Sequence, residues 1–258
     1  MSSLRNALVV LAVVLALIGG FVDGAGYLLL QHVFVAHQSG NTAASAVALT
    51  QGDWSLVVRR GTPIALFVLG VGLAAAGLEF AGRRHVRSLT ALTLGVETAL
   101  LVAFVVAGAC CFSRTQLRTA SNGPFVALLA LLVLAMGVQT ATLRKIGNRT
   151  VRTTYVTGML THLAEEVVGY VVERHDAHQE SARSLADRRR RIRVLLLIWS
   201  TYALGAVVGG FVETAWSIYA FVLPAAVLVA AAAVDLRWPW HAPSEDPLHA
   251  EASAAANS

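Results

Sequence analysis

Two acidic side chains stand where an apolar chain should have none. Asp23 lies in GFVDGAGYLLL and Glu97 in ALTLGVETALLVAF, each with apolar residues on both sides. An ionisable group at the centre of a bilayer costs about 2.5–3.5 kcal/mol on insertion scales, so each needs a reason. For Glu97 two readings stand. It is a proton-coupling or cation site facing a cavity, or it hydrogen-bonds a neighbouring helix for assembly. Asp23 has glycines on both sides. It marks a kinked or unwound helix whose backbone meets a ligand, and can also hold a proton, or it caps the following turn.

Polar residues gather again at two glycines. His37, Ser39, Asn41 and Thr42 surround Gly40, and Thr154, Tyr155, Thr157, Thr161 and His162 surround Gly158. A glycine break followed by a polar helix start presents free N–H groups, which suit an anion or a dipole. With Asp23 and Gln139, these are the candidate substrate-binding residues. The alternative is that Ser and Thr satisfy the backbone of packed short helices.

Catalytic patterns are missing. There is no H-E-x-x-H and no P-loop. A rhomboid-type G-x-S-G has only H-Q-S-G in its place, and one intramembrane Asp falls short of an aspartyl pair. Cys110 and Cys111 are adjacent, which rarely permits a disulfide, and read as small apolar fillers. The expectation is a protein that is no enzyme, with no catalytic residue, metal or cofactor.

The elements that position these residues are written in the composition. The 258 residues are 56% hydrophobic and 14% charged, and the mean hydropathy is +0.65. Soluble domains carry about 45–50% apolar and about 25% charged residues. One soluble core near this length cannot hide the surplus. A soluble enzyme, a disordered chain and a nucleic-acid-binding domain are excluded. A span needs about 20 apolar residues. Residues 7–30, 62–82, 88–109, 124–143, 194–212 and 215–235 meet or approach that length. Residues 33–51 and 153–172 are more polar, and such segments sit at membrane depth only when protein or a cavity shields them.

With six crossings, most basic residues fall on one side; with eight, the split evens out. The positive-inside rule favours six, with both termini cytoplasmic. The expected fold is an all-α integral membrane protein with six full transmembrane helices and two short broken or re-entrant helices. The order of elements repeats. Asp23 aligns with Gln139, Ser39-Gly40 with Thr157-Gly158, and Gly70 with Gly205. The first repeat covers 1–121 and the second 122–237, with an Arg-rich cytoplasmic loop at 173–193. Residues 238–258 read as a disordered cytoplasmic tail. Three crossings per half make the repeats inverted, as in many secondary transporters.

The stretches GFVDGAGYLLL…FVAHQSGNTAASAVALTQGDW and AMGVQTATLRKIGNRTVRTTYVTGMLTHLAEEV resemble the YoaK-type family, a group of small bacterial inner-membrane proteins assigned to a domain of unknown function. The resemblance covers roughly residues 8–237. It implies a membrane location and a fold, and no mechanism.

Smaller signals complete the reading. Gly205 and Gly209, with Gly70 and Ala74 as their repeat-mates, have the spacing for close helix packing and should let the two small-residue spans cross each other. Arg188, Arg189, Arg190, Arg191 and Arg193 set topology and meet anionic lipid headgroups. Glu79 and Arg83 are spaced for one helix face, and Glu213 reads as solvated in a tight turn. The functional expectation is a small-solute secondary transporter or permease with a midplane site between the repeats. The alternative is a non-transporting scaffold or lipid-interacting subunit. The expected partners are membrane lipids and a small solute, with no nucleic acid; nothing opposes a homo-oligomer.

Overall fold

The computed structural model describes residues 2–84, 86, 88–119, 123–146, 156–175 and 182–238. Every regular element among them is a helix. They are α1 (Ser2–Leu29), α2 (Gln38–Thr50), α3 (Trp54–Arg83), α4 (Leu89–Cys111), α5 (Arg114–Thr119), α6 (Gly123–Ile146), α7 (Val156–His175), α8 (Ala182–Trp216) and α9 (Val222–Arg237), with a 3-10 turn at Ser217–Phe221. Five stretches are long and apolar enough to cross a membrane: Ala7–Leu29, Trp54–Arg83, Leu89–Cys111, Gly123–Thr142 and Ser184–Arg237. The last runs through α8, the 3-10 turn and α9. Neither α2 nor α7 is among them.

Glycine decides which helices touch. α1 packs most extensively on α8, and α3 on α6. A Cβ on Gly20 would stand 2.0 Å from the Tyr202 carbonyl oxygen, and one on Gly24 2.4 Å from that of Ala206. From the other side, a Cβ on Gly205 would meet Leu17 O at 2.2 Å and one on Gly209 would meet Phe21 O at 2.3 Å. The contacts advance together along both chains, so α1 and α8 run parallel. Gly70 comes as near to Leu134 on α6, and Gly137 to Phe67 on α3. The expected crossing of the two small-residue spans is therefore corrected. Gly205 and Gly209 lie against α1 and Gly70 against α6, because each meets another glycine-bearing backbone; Ala74 is half-buried.

Two ends are closed by polar side chains. Asp53 accepts from the Leu56 N–H at 3.0 Å and starts α3. Ser88 accepts from the Ala91 N–H at 3.0 Å and starts α4. Asp235, from the far end of α9, accepts from the same N–H at 3.1 Å and from the Ser88 hydroxyl. α4 and α9 thus meet start to finish. Glu79 and Arg83 pair at 3.7 Å, as their spacing suggests.

Three expectations change. The Arg-rich stretch is largely helix: α7 runs to His175 and α8 begins at Ala182, so the Arg tract rides on the first turns of a 35-residue helix. Gly40 is no break, since it lies inside α2; a Cβ there would press on the Phe34 ring at 2.9 Å. Cys110 and Cys111, read as small apolar fillers near a span end, are free and exposed on the last turn of α4.

Candidate functional site

α1 ends in a left-handed turn at Gln31 and His32, with φ of 54° and 59°. The His32 N–H closes it on Tyr27 O at 2.8 Å. The chain then runs back beside α1 without helical structure over residues 33–37. Irregular backbone inside such a bundle must find its hydrogen bonds from side chains, and it does. The Val35 and Ala36 N–H groups both donate to Asp23 Oδ1 at 2.9 Å. Asn41 accepts from Phe34 N at 3.1 Å and donates to Phe34 O at 2.7 Å. Gln38 donates to Val35 O at 3.1 Å and accepts from Asn41 at 2.9 Å.

The other carboxylate oxygen of Asp23 anchors a tight triangle. Tyr202 of α8 donates its hydroxyl proton to Asp23 Oδ2 at 2.7 Å. His37 Nδ1 lies 2.6 Å from Oδ2 and 2.9 Å from the Tyr202 oxygen. An ionised carboxylate has about four acceptor positions, and Asp23 fills four. It is 3% exposed. The expected kink or unwinding at Asp23 is corrected, because α1 is continuous helix through Gly20, Asp23 and Gly24; Asp23 instead caps the irregular segment that returns beside its helix. Tyr202, Gln38 and Glu213 escaped the sequence reading as site residues. The signal for Tyr202 was a polar tip inside an apolar span, just before the Gly205–Gly209 pair.

Gln139 reaches the same region from α6. Its Nε2 donates to Leu15 O at 3.1 Å. Its Oε1 is buried without a partner among the described residues. A Cβ on Gly19 would lie 3.1 Å from that oxygen and 3.9 Å from the Tyr202 ring. Gly19 therefore lets Gln139 and Tyr202 converge on one stretch of α1, a turn before Asp23. Glu97 is fully buried in α4, and neither carboxyl oxygen has a partner among the described residues.

The remaining candidates stand elsewhere. Ser39 and Thr42 are exposed on α2, and Thr42 bonds back to Gln38 O at 2.8 Å. Thr157 and Thr161 are exposed on α7, joined to each other through the Thr157 carbonyl at 3.1 Å. His162 is exposed and lies 3.2 Å from Glu165. Thr154 and Tyr155 lie outside the described residues. Glu213 is fully buried rather than solvated, because it stands on the inner side of the last turn of α8, whose Thr214, Ala215 and Trp216 are exposed.

A second charged cluster joins α7 to the start of α8. Glu166 meets Arg191 at 2.7 Å and Arg188 at 3.1 Å, and Arg188 also meets Glu173. Burial pushes the Glu166 carboxyl up, but Arg191 and Arg188 outweigh it and hold it below the usual carboxylate range. A carboxyl depressed in the folded state contributes stability above its unfolded pKa, and that contribution is lost as pH falls through the folded value. Acidification below about pH 4 should therefore loosen α7 from α8. Spin labels on the two helices should separate in that window in the wild type. In Glu166→Gln they should already be mobile at neutral pH.

The family model described as "Protein of unknown function (DUF1275)" matches residues 11–234. UPF0700 transmembrane protein YoaK of Bacillus subtilis (strain 168) is 28% identical over 209 residues, which is 81% of this chain and 84% of the relative. No solved structure matches. With its long apolar helices, the chain is a multi-pass membrane protein, and it belongs to the DUF1275 family.

Proposed function

We propose that the protein is a secondary transporter or permease that passes a small solute between two inverted repeats. The observation that carries this reading is the buried knot of Asp23, His37 and Tyr202. It fastens an irregular segment to both α1 and α8 at once. Protonating Asp23 takes one of the four acceptor positions that its partners fill, so one proton displaces a hydrogen bond and alters the hold on residues 33–37. Proton coupling follows, with Asp23 as the coupling acid and Glu97 as a second one on α4. Gln139 and Gly19 extend the polar layer across the bundle.

The pairing of helices supports the repeats. The first helix of each half lies against the third helix of the other, α1 on α8 and α6 on α3. Each polar helix, α2 or α7, packs on the helix that follows it. The placement of Arg59 supports a re-entrant α2. It lines one cavity with Leu28 and Gln31 at the end of α1 and Glu213 at the end of α8. α2 therefore leaves from beside Asp23 and returns to the end it came from. The 54-residue stretch Ser184–Arg237 is about 80 Å of helix, enough for two passages. That makes six crossings in a bacterial inner membrane, with both termini cytoplasmic.

Labelling tests the topology. A cysteine at Ser55, in a background lacking Cys110 and Cys111, should react with an impermeant reagent from the periplasmic side. Reaction from the cytoplasmic side alone would reverse the course of α2 and the inversion with it. Flux tests the function. Purified protein in proteoliposomes should carry a solute from a broad panel, driven by a pH gradient. Wild-type protein that moves nothing across that panel would leave the non-transporting scaffold, with exposed Arg189 and Arg193 on lipid headgroups, as the better reading.

A further inference from the structure

Glu97 stands apart from the Asp23 network, on α4. It is fully buried, and both of its carboxyl oxygens lack a partner among the described residues. Folded proteins seldom leave buried polar atoms unpaired, and a bound ion is one ordinary reason for an exception. A carboxyl in such a place is neutralised by a proton or by a cation. The oxygens around it decide between the two.

Helix register places those oxygens. Gly108, near the end of α4, faces Leu128, near the start of α6; a Cβ on Gly108 would stand 3.6 Å from the Leu128 side chain. The two helices pack extensively, so they run antiparallel. Three turns of helix are about 11 residues and return to the starting face. Counted back along α4 from Gly108, they reach Glu97. Counted forward along α6 from Leu128, they reach Gln139. Glu97 is thus level with Gln139, whose Oε1 is also buried and unpartnered among the described residues. One turn further in the same direction stand Thr93 on α4 and Thr142 on α6, both buried. Thr93 turns its hydroxyl proton to Thr90 O at 3.0 Å, and Thr142 turns its own to Val138 O at 2.9 Å. On the other side of α4 runs α9, with Phe221 against Phe104 and Asp235 against Ala91. Between those contacts α9 buries Ala225 and Leu228, which are apolar.

The layer between α4 and α6 is rich in oxygen acceptors and poor in donors. One proton on Glu97 serves a single neighbouring acceptor, whereas a bare cation serves several at once. Carboxylate, carbonyl and hydroxyl oxygens suit hard cations. One carboxylate balances one positive charge, and calcium takes more oxygens than this layer brings together. We infer that Glu97, Gln139, Thr93 and Thr142 form a site for a dehydrated alkali cation. The site names an ion for the position that the transport reading gives to a second coupling acid. It rests on that reading for its use alone, because binding in detergent is measured without flux.

The test uses the full chain purified in detergent in choline chloride. Its melting temperature is followed as LiCl, NaCl or KCl replaces choline chloride at constant ionic strength. An alkali cation should raise the melting temperature saturably, and the salt with the largest shift identifies the ion by size. Glu97→Gln keeps the shape of the side chain without its charge and should abolish the shift. Thr93→Val keeps the branched shape without the oxygen and should raise the half-saturating concentration about tenfold. Glu79→Gln, at the exposed end of α3, should respond as the wild type does. Equal melting temperatures in all four salts, or an undiminished response in Glu97→Gln or Thr93→Val, would overturn the site. A cation shift in a protein that moves no solute would keep the site and remove the transport reading; flux without a cation shift would do the reverse.

Discussion

Gly20→Ala is expected to force α1 and α8 apart and to deplete the folded protein. The added carbon would lie 2.0 Å from the Tyr202 carbonyl oxygen and 2.8 Å from its carbon. Both are backbone atoms, so no rotamer change makes room. Overpacking a core costs about 1–3 kcal/mol when side chains can give way. Here the helices must separate along a crossing that also includes Gly24, Gly205 and Gly209, so the cost should reach about 3 kcal/mol or more. Against a total stability of about 5–15 kcal/mol, that is a large share. Separation would also pull Tyr202 off Asp23. Melting curves and size-exclusion profiles in detergent check this. Gly72→Ala and Gly77→Ala are the controls, with nothing within 4 Å of the added carbon. They should gain up to about 1 kcal/mol of helix propensity. A Gly20→Ala protein that melts with the wild type would refute the close crossing.

Asp23→Ala should be nearly as damaging, for a different reason. It strands the Val35 and Ala36 N–H groups in a buried setting and leaves the Tyr202 hydroxyl and His37 with only each other. Each buried group left without a partner costs about 1–3 kcal/mol, and neighbours do not add simply. A loss of several kcal/mol is expected, centred on residues 33–37. Hydrogen exchange should quicken at Val35 and Ala36 before it does elsewhere. Asp23→Asn separates structure from chemistry. Its amide oxygen still accepts from the two backbone N–H groups, while its NH₂ faces Tyr202 and His37 and cannot hold a transferable proton. Under the transport reading, Asp23→Asn should fold and lose pH-driven flux. Exchange at Val35 unchanged in Asp23→Ala would remove Asp23 from the latch.

Much of this was legible in the residues. The apolar runs marked the long helices because crossing a bilayer demands length and apolarity together. Asp23, His37 and Asn41 stood out because polar groups in such runs need partners, and all three lie in one network. Other parts were hidden by distance along the chain. Tyr202 meets Asp23 across 179 residues, and no local pattern encodes that meeting. The packing glycines were recognisable by spacing, but spacing cannot say which backbone they face. Glu213 looked solvated beside a turn, because its neighbours at the end of α1 and the start of α3 are far away in sequence. Ser39, Thr42, Thr157 and Thr161 looked like site residues by type. The helix period turned them outward.

The parallel pairing of α1 with α8 also bears on biosynthesis. Gly20 emerges from the ribosome long before Gly205, with about 185 residues between them. At about 5–20 residues per second, the glycine face of α1 waits roughly 10–40 s for its partner. During that interval the Asp23 carboxylate has no Tyr202 to meet. The first helix therefore enters the membrane as an unfinished surface, and the last third of the chain completes it. A ribosome stalled after α6 would leave a protein whose earliest segment is its least settled one.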